Sequence, residues 1–346
     1  MKALVFQGVE DVKVADVPKP EIKDPGDVLL KVTLSAICGT DLHSFHGFAP
    51  PATPGTVIGH EFVGVVEGAG PDVKRFAPGD RVVSCMYAYC GHCALCRKGW
   101  FVQCVNQRFF GMSEQFEGLR GGQAEYVVVP LADQTLESIP DGVSDEQAIF
   151  VGDILATAMF GAERAEIRPG DAVAVIGAGP VGLLTTMCAQ LFGPARVFVV
   201  DMVPARLEMA RQFGGIPIDA SQTHPVEAIQ KQTGDLGVDS SIECVGLVTT
   251  LETAIRCVRG GGTVAMNGMP GVVTGEFPYL SFWLKTLTLR AGWCNVPPYM
   301  RPLLDLIAAG RLQPEKIISH RMKLADAEEA YRLFDAREAT KIVLTP

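Results

Sequence analysis

The sequence predicts an α/β protein of two domains, a barrel-like β domain and a doubly wound parallel sheet. Three observations lead there. The chain has 346 residues, more than a single hydrophobic core usually supports. From Met1 to about Pro140 it runs in short β-rich stretches cut by Gly and Pro, the texture of an all-β barrel. From about Asp171 strand-like and helix-like stretches alternate, the pattern of a parallel sheet covered on both faces.

The opening MKALVFQGVEDVKVADV alternates apolar and polar residues and reaches Glu10 and Asp11 early. It lacks the apolar core of a secretory signal and reads as strands of a cytoplasmic protein. DVLLKVTLSAIC, HEFVGVVEGAG, GDRVVSC and QAEYVVVP follow as strand-like runs. Ser144 and Gln147 then form a capping-box pattern ahead of an apolar helical stretch reaching Gly161, the expected bridge to the second domain. There the order is strand DAVAVIGAG, helix PVGLLTTMCAQLFG, strand RVFVVD, helix PARLEMARQFGG, strand VDSSIECVG, helix TTLETAIRCVRGGG and strand TVAMNGM. After Arg290 come helix YMRPLLDLIAAG, strand KIISHRM, helix DAEEAYRLF and a last strand TKIVLTP, placed to return to the first domain. No internal repeat or low-complexity segment interrupts this order.

The formal charge of -9 and the lack of any Lys/Arg cluster argue against nucleic acid as a partner. Small-molecule chemistry is the expectation. Nearly half the residues are apolar, yet Gly, Pro or charge breaks every candidate span, so no membrane segment is expected. Ten cysteines without a secretory signal point to reduced thiolates, and four of them stand at metal-ligand spacing.

Gly177, Gly179 and Gly182, with Pro180 and Val181 between, make G-A-G-P-V-G directly after an apolar strand and directly before a helix. Alone the motif is weak; in that context it is a Rossmann dinucleotide fingerprint, glycines allowing a tight turn and close approach of a pyrophosphate to the helix N-terminus. Asp201 ends the next strand, where a carboxylate accepts hydrogen bonds from ribose hydroxyls and repels a 2'-phosphate, favouring NAD over NADP. Arg206 complicates that preference, since a nearby guanidinium can accept the phosphate. The plain alternative, a turn and a helix cap, requires four agreeing features to coincide.

Cys90, Cys93, Cys96 and Cys104 give C-x2-C-x2-C-x7-C in a segment with little apolar periodicity. Four thiolates around zinc would supply folding energy to a lobe without its own core, and a closed coordination sphere leaves no position for substrate. The spacing therefore predicts a structural site, against unpaired or disulfide-bonded cysteines. A second set is dispersed: Cys38 in AICGTDLH, His60 and Glu61 in GHEFVG, and Asp153 at the entry to the bridging helix. Spacing alone does not unite it. His46, His92, His224 and His320 are taken as structural, and Cys85, Cys188, Cys244, Cys257 and Cys294 as packing residues.

These motifs, ICGTDLH at 37–43, GHEFVGVV at 59–66, GDRV at 79–82, the four-cysteine lobe and the glycine motif, resemble the zinc-containing medium-chain alcohol dehydrogenases over essentially the whole chain. The resemblance implies a GroES-like β-barrel catalytic domain, residues 1–154 and 293–346 with the structural-zinc lobe at 85–112, and a Rossmann NAD-binding domain, 155–292. It implies two zinc ions per subunit and a homotetramer, with a dimer as the alternative. Cys38 and His60 would bind the catalytic zinc with a third ligand at Asp153. Many members carry Cys there, and the aspartate is similar to a carboxylate-bearing microbial branch in which Glu61 is a further candidate ligand. By the same matching Thr40 touches the substrate oxygen, His43 relays its proton, Thr157 lines the nicotinamide site and Lys341 contacts the pyrophosphate. Asn267 and Gly268 would run beside the nicotinamide. Met86, Phe110 and Trp293 are candidates for the substrate pocket, against the alternative that such residues are plain core.

The activity so implied is reversible, NAD-linked oxidation of primary or secondary alcohols to aldehydes or ketones. A polyol, amino-alcohol or formaldehyde-handling dehydrogenase shares the same ligands. From another class, a zinc-ribbon binding protein would use the cysteine lobe alone; the acidic charge and the dinucleotide motif count against it.

Overall fold

The computed structural model describes residues 1–48, 52–270 and 275–346. The chain divides into two compact units, Met1–Ala156 with Asn295–Pro346, and Thr157–Cys294.

The first unit is built on a sheet whose longest member, Val28–Ala36, pairs antiparallel with Glu61–Ala69 along its length. Its other edge is shared: Tyr126–Val129 pairs with Val28 to Lys31, and Val343 and Leu344 pair with Ala36 and Ser35. Arg81–Ser84 and Leu136–Ser138 continue the sheet on one side and His320–Lys323 on the other. Alternating inward residues such as Val28, Leu30, Val32, Phe62, Val66 and Val127 form its core, as period-2 strands with one buried face must. The opening segment is a hairpin, Lys2–Gly8 with Asp11–Asp16.

Among the described residues the second unit holds six parallel strands. Their spatial order is Ile216–Asp219, Arg196–Asp201, Ala172–Ile176, Val238–Glu243, Val258–Met266, Thr288–Ala291. Numbered along the unit this is 3-2-1-4-5-6, the doubly wound order, and the chain reverses direction across the sheet between Ala172–Ile176 and Val238–Glu243. Ligands bind outside the carboxyl ends of strands at such a point. Ala172–Ile176 is buried at every residue, which explains its unbroken apolar run.

Several elements differ from the sequence expectation. Strand Ile216–Asp219, helix Pro225–Gln232, helix Tyr279–Leu284 and strand Thr288–Ala291 were not anticipated. Ile216–Asp219 is an edge strand, the one place where Pro217 is tolerated. The expected helix TTLETAIRCVRGGG, running to Gly262, stops at Cys257, and Val258 already begins the next strand. The bridging helix is broken: a helical turn at Asp145–Ala148, a 3-10 turn at Ile149–Gly152, a turn out of helical geometry at Asp153 (φ −152°, ψ −91°), and then helix Ile154–Arg164. Among the described residues no helix is long and apolar enough to cross a membrane.

Candidate active site

Three separate devices bring the dispersed ligand set together. Cys38 follows strand Val28–Ala36 and caps helix Gly39–Phe45, its backbone N–H donating to Asp41 Oδ2 at 2.9 Å. His60 and Glu61 stand where the chain enters strand Glu61–Ala69. Asp153 occupies the helix break. Their donor atoms lie within 4.8 Å of one another and all three ligand candidates are buried. Cys38 Sγ is 3.4 Å and His60 Nε2 3.1 Å from Asp153 Oδ2. The His60 contact is close but not aligned as a hydrogen bond, so Nε2 is a buried nitrogen without a hydrogen-bond partner.

That arrangement fits zinc. Thiolate, imidazole nitrogen and carboxylate are its preferred donors, and three protein ligands leave one position open. Without a cation the group is electrostatically costly: burial, then Asp153 and Glu61, push the Cys38 thiol up to about 11. Glu61 is not part of the converging trio. Its Oε2 is ion-paired with Lys341, while Oε1 is buried without a partner. Burial raises Glu61 to about 7 against the opposing pull of Lys341.

Lys341 departs from its expected place at a pyrophosphate. It is 0 % exposed, and its ammonium donates to the Ile37 carbonyl at 2.8 Å and to Glu61. A buried ammonium is tolerable only against such partners, and its charge is turned to Glu61 rather than to an external anion. Phe110 is likewise no pocket wall: it is completely buried in the sheet core, edge-on to Phe62 at 5.1 Å. Met86 is buried too, whereas Trp293 is half-exposed.

Thr40 and His43 lie on helix Gly39–Phe45, three residues apart and so on one face. Both are half-buried. Burial, then repulsion from His46, lowers the His43 pKa below the ordinary histidine value. Sequence reasoning missed Asp41, whose Oδ1 is 3.1 Å from His60 Nδ1. A carboxylate on the far nitrogen of a ligating histidine fixes its tautomer. The available signal was its place three residues into the helix that Cys38 caps.

The four cysteines of the lobe also converge within 4.8 Å. Cys90 and Cys104 sulfurs are 3.5 Å apart, far beyond a disulfide bond and near the roughly 3.8 Å edge of a tetrahedron with 2.3 Å Zn–S bonds. Backbone amides of Cys90, Asn106 and Cys96 point at sulfur atoms, the environment a bundle of thiolates needs. Burial opposes ionisation of Cys90, but the backbone amides of His92 and Cys93, with the Cys104 thiol and the Asn106 side chain, outweigh it and bring Cys90 down to about 6.

In the second unit the glycine motif wraps the start of helix Pro180–Ala189. A Cβ on Gly182 would sit 1.8 Å from the Gly177 carbonyl, whereas one on Gly179 would meet open space. The loop is thus closed against itself at one glycine and open to an approaching group at another. Asp201 Oδ2 accepts from the Ala178 amide at 2.6 Å and Oδ1 from Met202 and Val203, so the carboxylate is tied to the glycine turn. Arg206 stands half-buried on helix Pro204–Gln212. Asn267 donates from Nδ2 to the Thr157 carbonyl at 3.0 Å, and Asn267 and Gly268 donate their backbone N–H groups to the Glu243 carbonyl. Sequence reasoning missed Glu243, which is buried and accepts from Val245, Gly246 and Thr250 through Oε1. It also missed Met202, Val245, Leu247 and Met269, exposed apolar side chains just beyond the carboxyl ends of three strands.

Residues 24–141 match the family model for the alcohol dehydrogenase GroES-like domain and residues 180–309 that for the zinc-binding dehydrogenases. The chain is 34 % identical, over the whole of both sequences, to an uncharacterized zinc-type alcohol dehydrogenase-like protein, AdhB, of Bacillus subtilis (strain 168). The chain belongs to the zinc-containing medium-chain alcohol dehydrogenase family. Among solved structures, alcohol dehydrogenase TADH of Thermus sp. ATN1 is 43 % identical with a TM-score of 0.95, covering 100 % of this chain and 99 % of that one. A candidate zinc-binding dehydrogenase of Sinorhizobium meliloti 1021, bound to NADP, is 32 % identical with a TM-score of 0.89 over 100 % and 99 %. As a member of that family the chain combines a GroES-like domain with a Rossmann-like parallel sheet.

Proposed function

We propose that this chain is a zinc-dependent, NAD-linked alcohol dehydrogenase that interconverts primary or secondary alcohols with aldehydes or ketones. The convergence of Cys38, His60 and Asp153 beside Thr40 and His43 carries the reading. Zinc at that trio supplies Lewis acidity to a substrate hydroxyl, as it lowers the pKa of bound water to about 7 in open sites. NAD supplies the hydride acceptor. Cys38, His60 and Asp153 would hold the zinc ion. Thr40 takes the alcohol proton and hands it on toward His43. With its pKa held below that of a free histidine, His43 is neutral at pH 7 and ready to accept.

Replacing Thr40 with Ala is expected to lower kcat about a hundredfold, the lower range for a lost proton-transfer partner, with zinc content unchanged; metal analysis beside steady-state kinetics checks both. In wild type the acid limb of the kcat pH profile should lie below the ordinary imidazole value, because base function persists until His43 is protonated. In His43→Gln that limb should disappear.

Asp201 supports the choice of NAD. In Asp201→Gly the ratio of kcat/KM for NAD over NADP is expected to fall at least about tenfold, or 1.4 kcal/mol, since the repulsion of a 2'-phosphate is lost. An unaltered ratio would take Asp201 out of cofactor selection. Assembly as a homotetramer belongs to the same reading. Its support is the outermost strand Thr288–Ala291 and the exposed Tyr279, Leu280, Trp283 and Leu284 on the helix before it, a kind of edge that proteins cover.

A further inference from the structure

Behind His60 the structure carries a buried polar chain that the reaction as described does not use. Gln123 is 0 % exposed. Its Nε2 donates to the Ala36 carbonyl and to Asp41 Oδ2, both at 3.1 Å, and its Oε1 accepts from the Tyr331 hydroxyl at 3.0 Å. Tyr331 is itself buried, on helix Ala327–Asp335. The Ala36 carbonyl and the Asp41 carboxylate can only accept, so the amide has one orientation that satisfies all its atoms.

Asp41 in turn receives the Cys38 backbone N–H and the Gln123 amide on Oδ2, and faces His60 Nδ1 with Oδ1. An acceptor-only carboxylate so surrounded places the proton of His60 on Nδ1. The lone pair of Nε2 is then directed at Cys38 and Asp153. Close packing holds the chain in register. A Cβ on Gly59 would lie 2.4 Å from Gln123 Cγ, and one on Gly122 2.2 Å from the Phe62 ring. The segment before His60 and the segment carrying Gln123 therefore touch with no room for a side chain between them.

We propose that Gln123, backed by Tyr331, is a positioning residue for the catalytic metal. It fixes Asp41, through Asp41 the tautomer and ring orientation of His60, and thereby how firmly Cys38, His60 and Asp153 hold their ion. The inference rests on reading that trio as a metal site. Replacing outer partners of a ligating histidine typically costs 10–100-fold in metal affinity or activity. Gln123 acts one step further out, so a factor of about ten is expected for its loss.

The test uses full-length protein loaded with Zn(II) or Co(II), as Gln123→Met and Tyr331→Phe. Methionine keeps the length of the side chain and removes the amide donor and acceptor, leaving only a weakly accepting sulfur. Competition with a chelator should show about tenfold weaker metal retention at the catalytic site in Gln123→Met, and a smaller loss in Tyr331→Phe. The Co(II) absorption bands of that site should shift. Metal at Cys90, Cys93, Cys96 and Cys104 should be held as before, which a merely structural role for Gln123 would not produce. Unchanged affinity and spectrum in both variants overturn the inference, as does parallel loss from both sites. If Gln123→Met does not fold, Gln123→Glu, of the same shape but facing two acceptors with an acceptor, takes its place with the same expectation. Unsubstituted protein that binds metal only in the cysteine lobe would remove the reading of the site and the inference together. Unsubstituted protein with two metals and indistinguishable variants would remove the inference alone.

Discussion

Cys38→Ala is expected to lower kcat/KM for alcohol oxidation by about a thousandfold or more while the protein stays folded. The size follows from what a Lewis acid contributes, several kcal/mol at the developing charge, with each 1.36 kcal/mol worth a factor of ten. The selectivity follows from local geometry. Removing the sulfur takes away its half of the capping box at helix Gly39–Phe45, but the other half, the Cys38 backbone N–H donated to Asp41, remains. The thiol is small and buried, and alanine opens little space. NADH absorbance, metal content per chain and the thermal transition, measured on one preparation, check the expectation. Activity within tenfold of wild type, or full activity after the metal outside the cysteine lobe has been stripped, would refute the proposed role of the trio.

The second large effect is on stability. Between Cys90 and Cys104 the chain forms only two single-turn 3-10 helices, Cys96–Lys98 and Phe101–Gln103, so metal bonds replace the regular hydrogen bonding and apolar burial the lobe lacks. Structural zinc contributes roughly 10–16 kcal/mol to the folding of small domains. Losing one thiolate in Cys96→Ser should forfeit several kcal/mol of that. At about 2–4 °C per kcal/mol for chains of 150–250 residues, the Tm is expected to fall by roughly 10 °C or more. Turnover per folded site should change only a few-fold, because none of these sulfurs belongs to the other trio. Equal losses of Tm and specific activity would instead give the lobe a part in the chemistry.

How far the sequence alone reached depended on separation along the chain. The lobe was legible because its four ligands fall within fifteen residues, and the glycine motif because strand, turn and helix are contiguous. Cys38, His60 and Asp153 are separated by up to 115 positions, and only the family likeness joined them. The break that aims Asp153 was hidden inside an apolar run from Ala148 to Leu155, since period and composition register burial and not a single residue's φ and ψ. Strand Ile216–Asp219 was hidden by its length and by Pro217. Lys341 was placed at the pyrophosphate by family likeness alone; its burial follows from its partner Glu61, 280 residues away, which no local pattern reveals. Asp41 and Gln123 escaped notice because their importance lies in what they touch.

The first unit is stitched from two stretches of chain, with the whole second unit between them. On the ribosome residues 295–346 emerge only after the second unit's six strands are complete. Until then strand Val28–Ala36 lacks the neighbour Ile342–Thr345, and Glu61 has no Lys341 to offset its charge in the interior. Domains generally fold as units during synthesis, so the second unit is free to mature while the first is still unfinished. Biogenesis of this chain therefore has a built-in order, in which the Glu61–Lys341 pair and the strand Ile342–Thr345 complete the first unit last.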